Sequence, residues 1–189
     1  MRIQKQTGFT IVELLVVIVV IAILAALAIV SYTGITAKAT DTKIRAAVVE
    51  VEKATYTWSI NRGGAVPSGG GYGSTSKNAD GTCTGGAGGW IRANASYVCT
   101  LEEMLLADNL IPSNFISGLP PNKIYGNSSL QTLMFYPCGG VAARTYVIYY
   151  YLNSPSSQDA QDVAAAEAAG CSTSPRINYG MRGARLLTF

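Results

Sequence analysis

The chain has 189 residues and a net charge of +3 at pH 7; 49% of its residues are hydrophobic and 13% are charged, against about 25% charged in an average soluble domain. This composition excludes a highly charged disordered protein, and so small a charge does not by itself point to a nucleic-acid partner. Histidine is absent, which removes the commonest general base and metal ligand, and with them most Ser/His, Cys/His and His–metal sites.

The opening MRIQKQTG is short, basic and free of acids. From Leu14 to Val30 there follow 17 consecutive Leu, Val, Ile and Ala residues, which as a helix span about 26 Å. With Phe9 to Val12 in front, the stretch reaches the roughly 30 Å of a bilayer core. Leu and Ala favour helix, and in lipid a helix satisfies its own backbone groups. A membrane helix with its basic end in the cytoplasm is expected.

Hydropathy alone leaves two plainer readings open. One is a single-pass anchor; the other is a secretory signal peptide with Ala26-Leu27-Ala28 as its cleavage site. Glu13 discriminates. A carboxylate between Val12 and Leu14 costs roughly 2.5–3.5 kcal/mol at a bilayer centre and less near the edge, and neither plainer reading needs that cost. Its partner would be a positive charge at the same depth, such as the ammonium that a cut between Gly8 and Phe9 creates.

Gly8-Phe9-Thr10-Ile11-Val12-Glu13, after a basic leader and before an apolar helix, resembles the N-terminal motif of type IV prepilins and pseudopilins. The resemblance covers about residues 1–35. It implies that a membrane-embedded prepilin peptidase cuts after Gly8 and methylates the amine of Phe9. It also implies that Glu13 pairs with the Phe9 amine of a neighbouring subunit as a filament grows. The implied partners are further copies in a homo-oligomeric helical filament, the inner-membrane pilus assembly machinery, and membrane lipid before assembly. The family often carries a Pro or Gly that loosens the helix in the filament; Ala25 to Val30 has neither.

Beyond Val30 the pattern becomes amphipathic. Ile44, Ala47, Val48, Val51, Thr55 and Trp58 recur at spacings of three and four, the stripe of a helix packed on a core. Asp41, Lys43, Arg45, Glu50, Glu52 and Lys53 fall largely off it. One helix from about Phe9 to Asn61 is expected, with two helices broken at Gly34 as the alternative. Residues 63–89 hold eleven glycines and no phosphate-loop motif, and read as a long surface loop.

Trp90 to Cys99 reads as extended. Thr100 with Glu103 forms a capping box that opens a short helix to about Asn109. Prolines at 112, 120 and 121 place a loop over 111–126. Leu130–Tyr136 and Arg144–Leu152 are expected strands, with a turn at Pro137-Cys138-Gly139-Gly140. The run Tyr146 to Tyr151 reads as core sheet rather than a stacking platform for nucleic acid. Ala160–Ala169 reads as a brief helix. The tail, with Arg176, Arg182 and Arg185, reads as solvated surface, with DNA contact as the weaker alternative.

Cys83, Cys99, Cys138 and Cys171 allow three pairings. No C-x-x-C spacing occurs, so zinc and thioredoxin-like chemistry are not expected, and all four cysteines follow the membrane segment, on the oxidising side. The expected pairs are Cys83–Cys99 and Cys138–Cys171, each closing a loop worth roughly 3–4 kcal/mol. Asp159 and Asp162 are too few oxygens for Ca²⁺, and no cofactor or catalytic residue is expected.

The expected fold is α+β: a long N-terminal helix on a small antiparallel sheet, with a Gly-rich loop and a disulfide-bonded C-terminal region. The expected divisions are a leader at 1–8, a transmembrane and assembly helix at 9–35, and a periplasmic or extracellular head at 36–189. The expected function is that of a structural, non-enzymatic pilin of a type IV pilus, serving adhesion, motility or DNA uptake. The subunit would span the cell membrane once before assembly and lie in an extracellular fimbrium after it. A minor pilin or secretion pseudopilin is the first alternative. A secreted soluble domain with a cleaved signal peptide is the alternative of another class.

Overall fold

The computed structural model describes residues 8–67, 76–77, 79, 83–84, 89–92, 99–126, 128, 131–139 and 144–189. Of these, 76–77, 83–84, Val30, Ser31 and Thr33 are described in their backbone alone. Most of the Gly-rich stretch, and Ala93 to Val98 of the expected extended segment, lie outside the described residues.

Helix α1 spans Ile11–Asn61 and runs through Gly34. The chain divides into two compact units, Met1–Lys38 and Ala39–Phe189. In the first, the described large apolar side chains from Phe9 to Ile29 stand 48–80% exposed. No described residue of the unit covers them.

In the second unit α1 becomes a core helix. Ile44, Ala47, Val48, Val51, Thr55 and Trp58 are all buried, as the stripe predicts. Asp41 departs from its expected place off the stripe. It is 1% exposed, because its carboxylate accepts hydrogen bonds from the Asn153 amide N–H and side chain and from the Ser154 N–H, at 2.8, 3.1 and 2.8 Å. A buried carboxylate needs such donors to repay its lost hydration.

The remaining elements are β1 (Ser76–Lys77), β2 (Cys83–Thr84), β3 (Gly89–Trp90), α2 (Leu101–Ala107), β4 (Leu133–Cys138), β5 (Thr145–Tyr150), α3 (Ser157–Ala168), α4 (Ser174–Tyr179) and β6 (Gly183–Thr188). Strands β1 and β2 pair with each other; the main sheet is antiparallel in the order β3-β4-β5-β6. Its centre is β5, where Tyr146, Val147, Ile148, Tyr149 and Tyr150 are all buried. The expected core sheet is therefore found, with both of its faces covered.

Three expectations are corrected. The strand expected over Leu130–Tyr136 is β4, which runs on through Pro137 and Cys138, paired with Tyr146 and Thr145. The described part of β3 reaches only Met134 and Phe135, so Pro137, which has no N–H, faces no described strand on that side. The helix expected over Ala160–Ala169 starts at Ser157, because Ser156 and Asp159 form a reciprocal capping box. The tail expected as solvated surface instead forms α4 and β6. Strand β6 pairs along the whole of β5 and buries Ala184 and Leu187. Gly183 is required there, since a Cβ would run into the Tyr150 ring lying across it.

Two smaller expectations are met, the first in part. Thr100 caps α2 by accepting from the Glu103 N–H, one half of the expected capping box. Cys138 and Cys171 are disulfide-bonded, which ties the end of β4 to the segment after α3.

Candidate assembly site

Gly8, Phe9 and Thr10 precede the first turn of α1 and are not helical. The Gly8–Phe9 peptide bond is therefore outside the helix, and both residues are exposed. Thr10 is the N-cap and Glu13 stands at the third helical position. Glu13 Oε2 accepts from the Thr10 N–H at 2.8 Å and from the Thr10 hydroxyl at 2.7 Å. In return Thr10 Oγ1 accepts from the Glu13 N–H at 3.3 Å.

This is a capping box. It sets the acid at the positive end of the helix macrodipole, where a carboxylate is favoured. Oε1 accepts no hydrogen bond among the described residues, so one oxygen remains for an external cation. The sequence singled out Gly8, Phe9 and Glu13 but not Thr10, for which the Thr-x-x-Glu spacing was the available signal. The apolar face that follows is long and apolar enough to cross a membrane. It presents the same chemistry to lipid tails or to other copies of the helix.

Of the cysteines expected to pair, Cys99 is disulfide-bonded. The side chain of Cys83, its expected partner, lies outside the described residues. No group of three or more His, Cys, Asp or Glu that could hold a metal occurs among the described residues. Asp159 has a structural task instead. Arg45 on α1 donates to it through Nη2 at 2.7 Å and Nε at 3.2 Å, and Ser156 donates through its N–H and hydroxyl. Burial pushes the Asp159 carboxyl up, but the bonds from Arg45 and Ser156 outweigh it and hold the carboxyl below its ordinary value. Asp162 accepts from Gln158.

The tail is no bare cationic stripe. Arg176 pairs with Glu167 at 2.6 Å and Arg185 with Glu52 at 3.0 Å.

Residues 3–29 match the family model for the prokaryotic N-terminal methylation motif. This is the prepilin-type signal of type IV pilins and pseudopilins, which are structural rather than catalytic proteins. The chain thus carries a prepilin-type signal ending in a membrane-capable helix. No curated protein and no solved structure matches the chain.

Proposed function

We propose that the protein is the pilin of a type IV pilus, made as a membrane precursor, cut after Gly8 by prepilin peptidase and N-methylated on Phe9. In this reading residues 9–35 hold the subunit in the bilayer and the head at 36–189 lies outside. The assembly machinery then draws the helix from lipid into a bundle of copies. The outer surface of the fimbrium would serve adhesion, motility or DNA uptake. Cys83–Cys99 would close the second disulfide.

One observation carries the proposal. Within the matched motif, an acid caps its own helix and keeps Oε1 open at the head of an exposed apolar face. Apolar packing between helices is non-directional and sets no register. The charge does. Pairing Glu13 Oε1 with the Phe9 ammonium of the next copy fixes the stagger, and leaving either charge unpaired in an apolar bundle is costly.

The test is filament yield from Glu13→Val at matched membrane levels of subunit. The variant inserts and is cut, yet joins filaments poorly. Glu13→Gln is milder, since its amide still accepts a hydrogen bond. Normal filaments from Glu13→Val would reduce the helix to a plain anchor.

A further inference from the structure

A peptide bond inside a helix has its backbone groups paired and neighbouring turns around it, so a peptidase needs the bond between Gly8 and Phe9 outside one. The composition after the cut does not stop the helix there. No Pro or Gly occurs between Phe9 and Thr33, and a helix once formed adds one hydrogen bond for each further residue it fixes. The first helical bond runs from the Leu14 N–H to the Thr10 carbonyl, at 3.3 Å. The next one upstream would run from the Glu13 N–H to the Phe9 carbonyl. That N–H is taken instead by Thr10 Oγ1, at 3.3 Å. The Thr10 N–H, which a longer helix would give to the Gln6 carbonyl, is taken by Glu13 Oε2 at 2.8 Å. Thr10 thus occupies the donor that would draw Phe9 into the helix.

Gly8 plays a different part. A Cβ there would meet nothing within 4 Å, so the space around it does not explain the glycine, and a small residue at the cut serves the peptidase. The next residue upstream of Thr10 with a strongly capping side chain is Thr7. A cap at Thr7 would start the helix at Gly8 and enclose the Gly8–Phe9 bond in its first turn. Thr7 and Thr10 are therefore competing caps three residues apart, and the choice between them decides whether the bond is open.

We infer that Thr10 is a positioning residue for leader removal: its hydroxyl caps α1 just past the cut and presents Gly8–Phe9 to the peptidase as non-helical chain. The inference rests on the filament reading above, which supplies the cut after Gly8, and gives that site a second determinant besides the small residue. Helix ends lengthen and shorten far faster than an enzyme turns over. Cleavage then follows the population of precursor whose bond lies outside the helix. Losing the cap lowers that population, which raises the precursor concentration needed and leaves the chemical step unchanged. Glu13→Val keeps the hydroxyl's bond, because the donor is the backbone N–H of residue 13, and so is cut while failing to assemble.

Full-length precursors presented to prepilin peptidase in detergent, over a range of precursor concentrations, test it. Valine has the shape of threonine without the hydroxyl; asparagine has another shape but caps at least as well. Thr10 is exposed, so neither change disturbs the core. Thr10→Val raises KM about threefold or more at unchanged kcat, and Thr10→Asn is cut like the wild type. A loss confined to kcat overturns the inference. So does Thr10→Asn cut as poorly as Thr10→Val, since the peptidase would then be reading the residue itself. Wild type cut after Gly8 with Thr10→Val cut equally well overturns this inference and leaves the filament reading standing. Wild type left uncut after Gly8 overturns both.

Discussion

Thr10 and Glu13 hold each other at the start of α1: one carboxylate oxygen takes both the N–H and the hydroxyl of Thr10, and the Thr10 oxygen takes the Glu13 N–H. An acid at the head of an apolar run is thus made tolerable within its own chain. The cap satisfies part of the charge, and the helix dipole favours the rest. The same arrangement ends the helix just after Phe9 and leaves Gly8–Phe9 as non-helical chain.

The exposed Gly8–Phe9 junction predicts where processing fails. Gly8→Val puts a β-branched side chain at the cut, where a peptidase selecting a small residue rejects it. Precursor of full length then accumulates in the membrane, as electrophoretic sizing shows. Mature-length protein from this variant would contradict the assignment of the junction.

The second unit forms its own core from Ile44 to Leu187. Residues 36–189 are therefore expected to fold alone as a soluble domain with two disulfides. Peptide mapping without reductant should find Cys138–Cys171 and Cys83–Cys99. A Cys99–Cys138 link, or four free thiols after export to an oxidising compartment, would refute the pairing.

Asp159 joins α3 to α1 through Arg45 while capping α3 through Ser156. Asp159→Ala removes the carboxylate half of the capping box, leaving the Ser156 cap on the backbone N–H of residue 159, and leaves Arg45 without its acid, at a cost of about 2–4 kcal/mol in denaturant unfolding. Arg45→Ala costs less, since Arg45 is the more exposed partner. The Asp159 carboxyl is held below its ordinary 3.8. Its contribution is therefore present above that pH and is lost as pH falls through the lowered value.

Glu102 works in the opposite direction. Burial pushes its carboxyl up to about 7, only partly offset by Arg92, while Glu103 adds to the rise. The folded state binds the extra proton, so stability declines as pH rises from the ordinary 4.5 through 7. At about 1.4 kcal/mol per pH unit, the decline amounts to about 3–4 kcal/mol. Thermal unfolding against pH should show that slope in the wild type and lose it in Glu102→Gln. An unchanged slope would contradict the assignment.

The helix, its buried stripe and the central strand were legible because each repeats a period over many residues. Trp58 and Ile44 sit where a spacing of three and four puts them, and Tyr146 to Tyr150 form a β-branched and aromatic run. Strand β6 was hidden because Gly183, Arg185 and Thr188 dilute its alternation, and its place depends on the Tyr150 ring lying over Gly183. The start of α3 was set by Ser156 and Asp159, polar residues with no apolar periodicity around them. Asp159 read as a weak metal candidate because its partner Arg45 lies 114 residues away, a distance no local pattern encodes. At the candidate assembly site Gly8, Phe9 and Glu13 were singled out by order and spacing. The cap supplied by Thr10 became visible only with the geometry.

The most direct test of the account is the mass of the N-terminal peptide of the chain recovered from sheared surface filaments. The account predicts a peptide beginning at Phe9 with a methylated amine. A chain missing from filaments and found in the medium beginning at Ile29 would contradict it and establish a secreted domain with a discarded signal peptide.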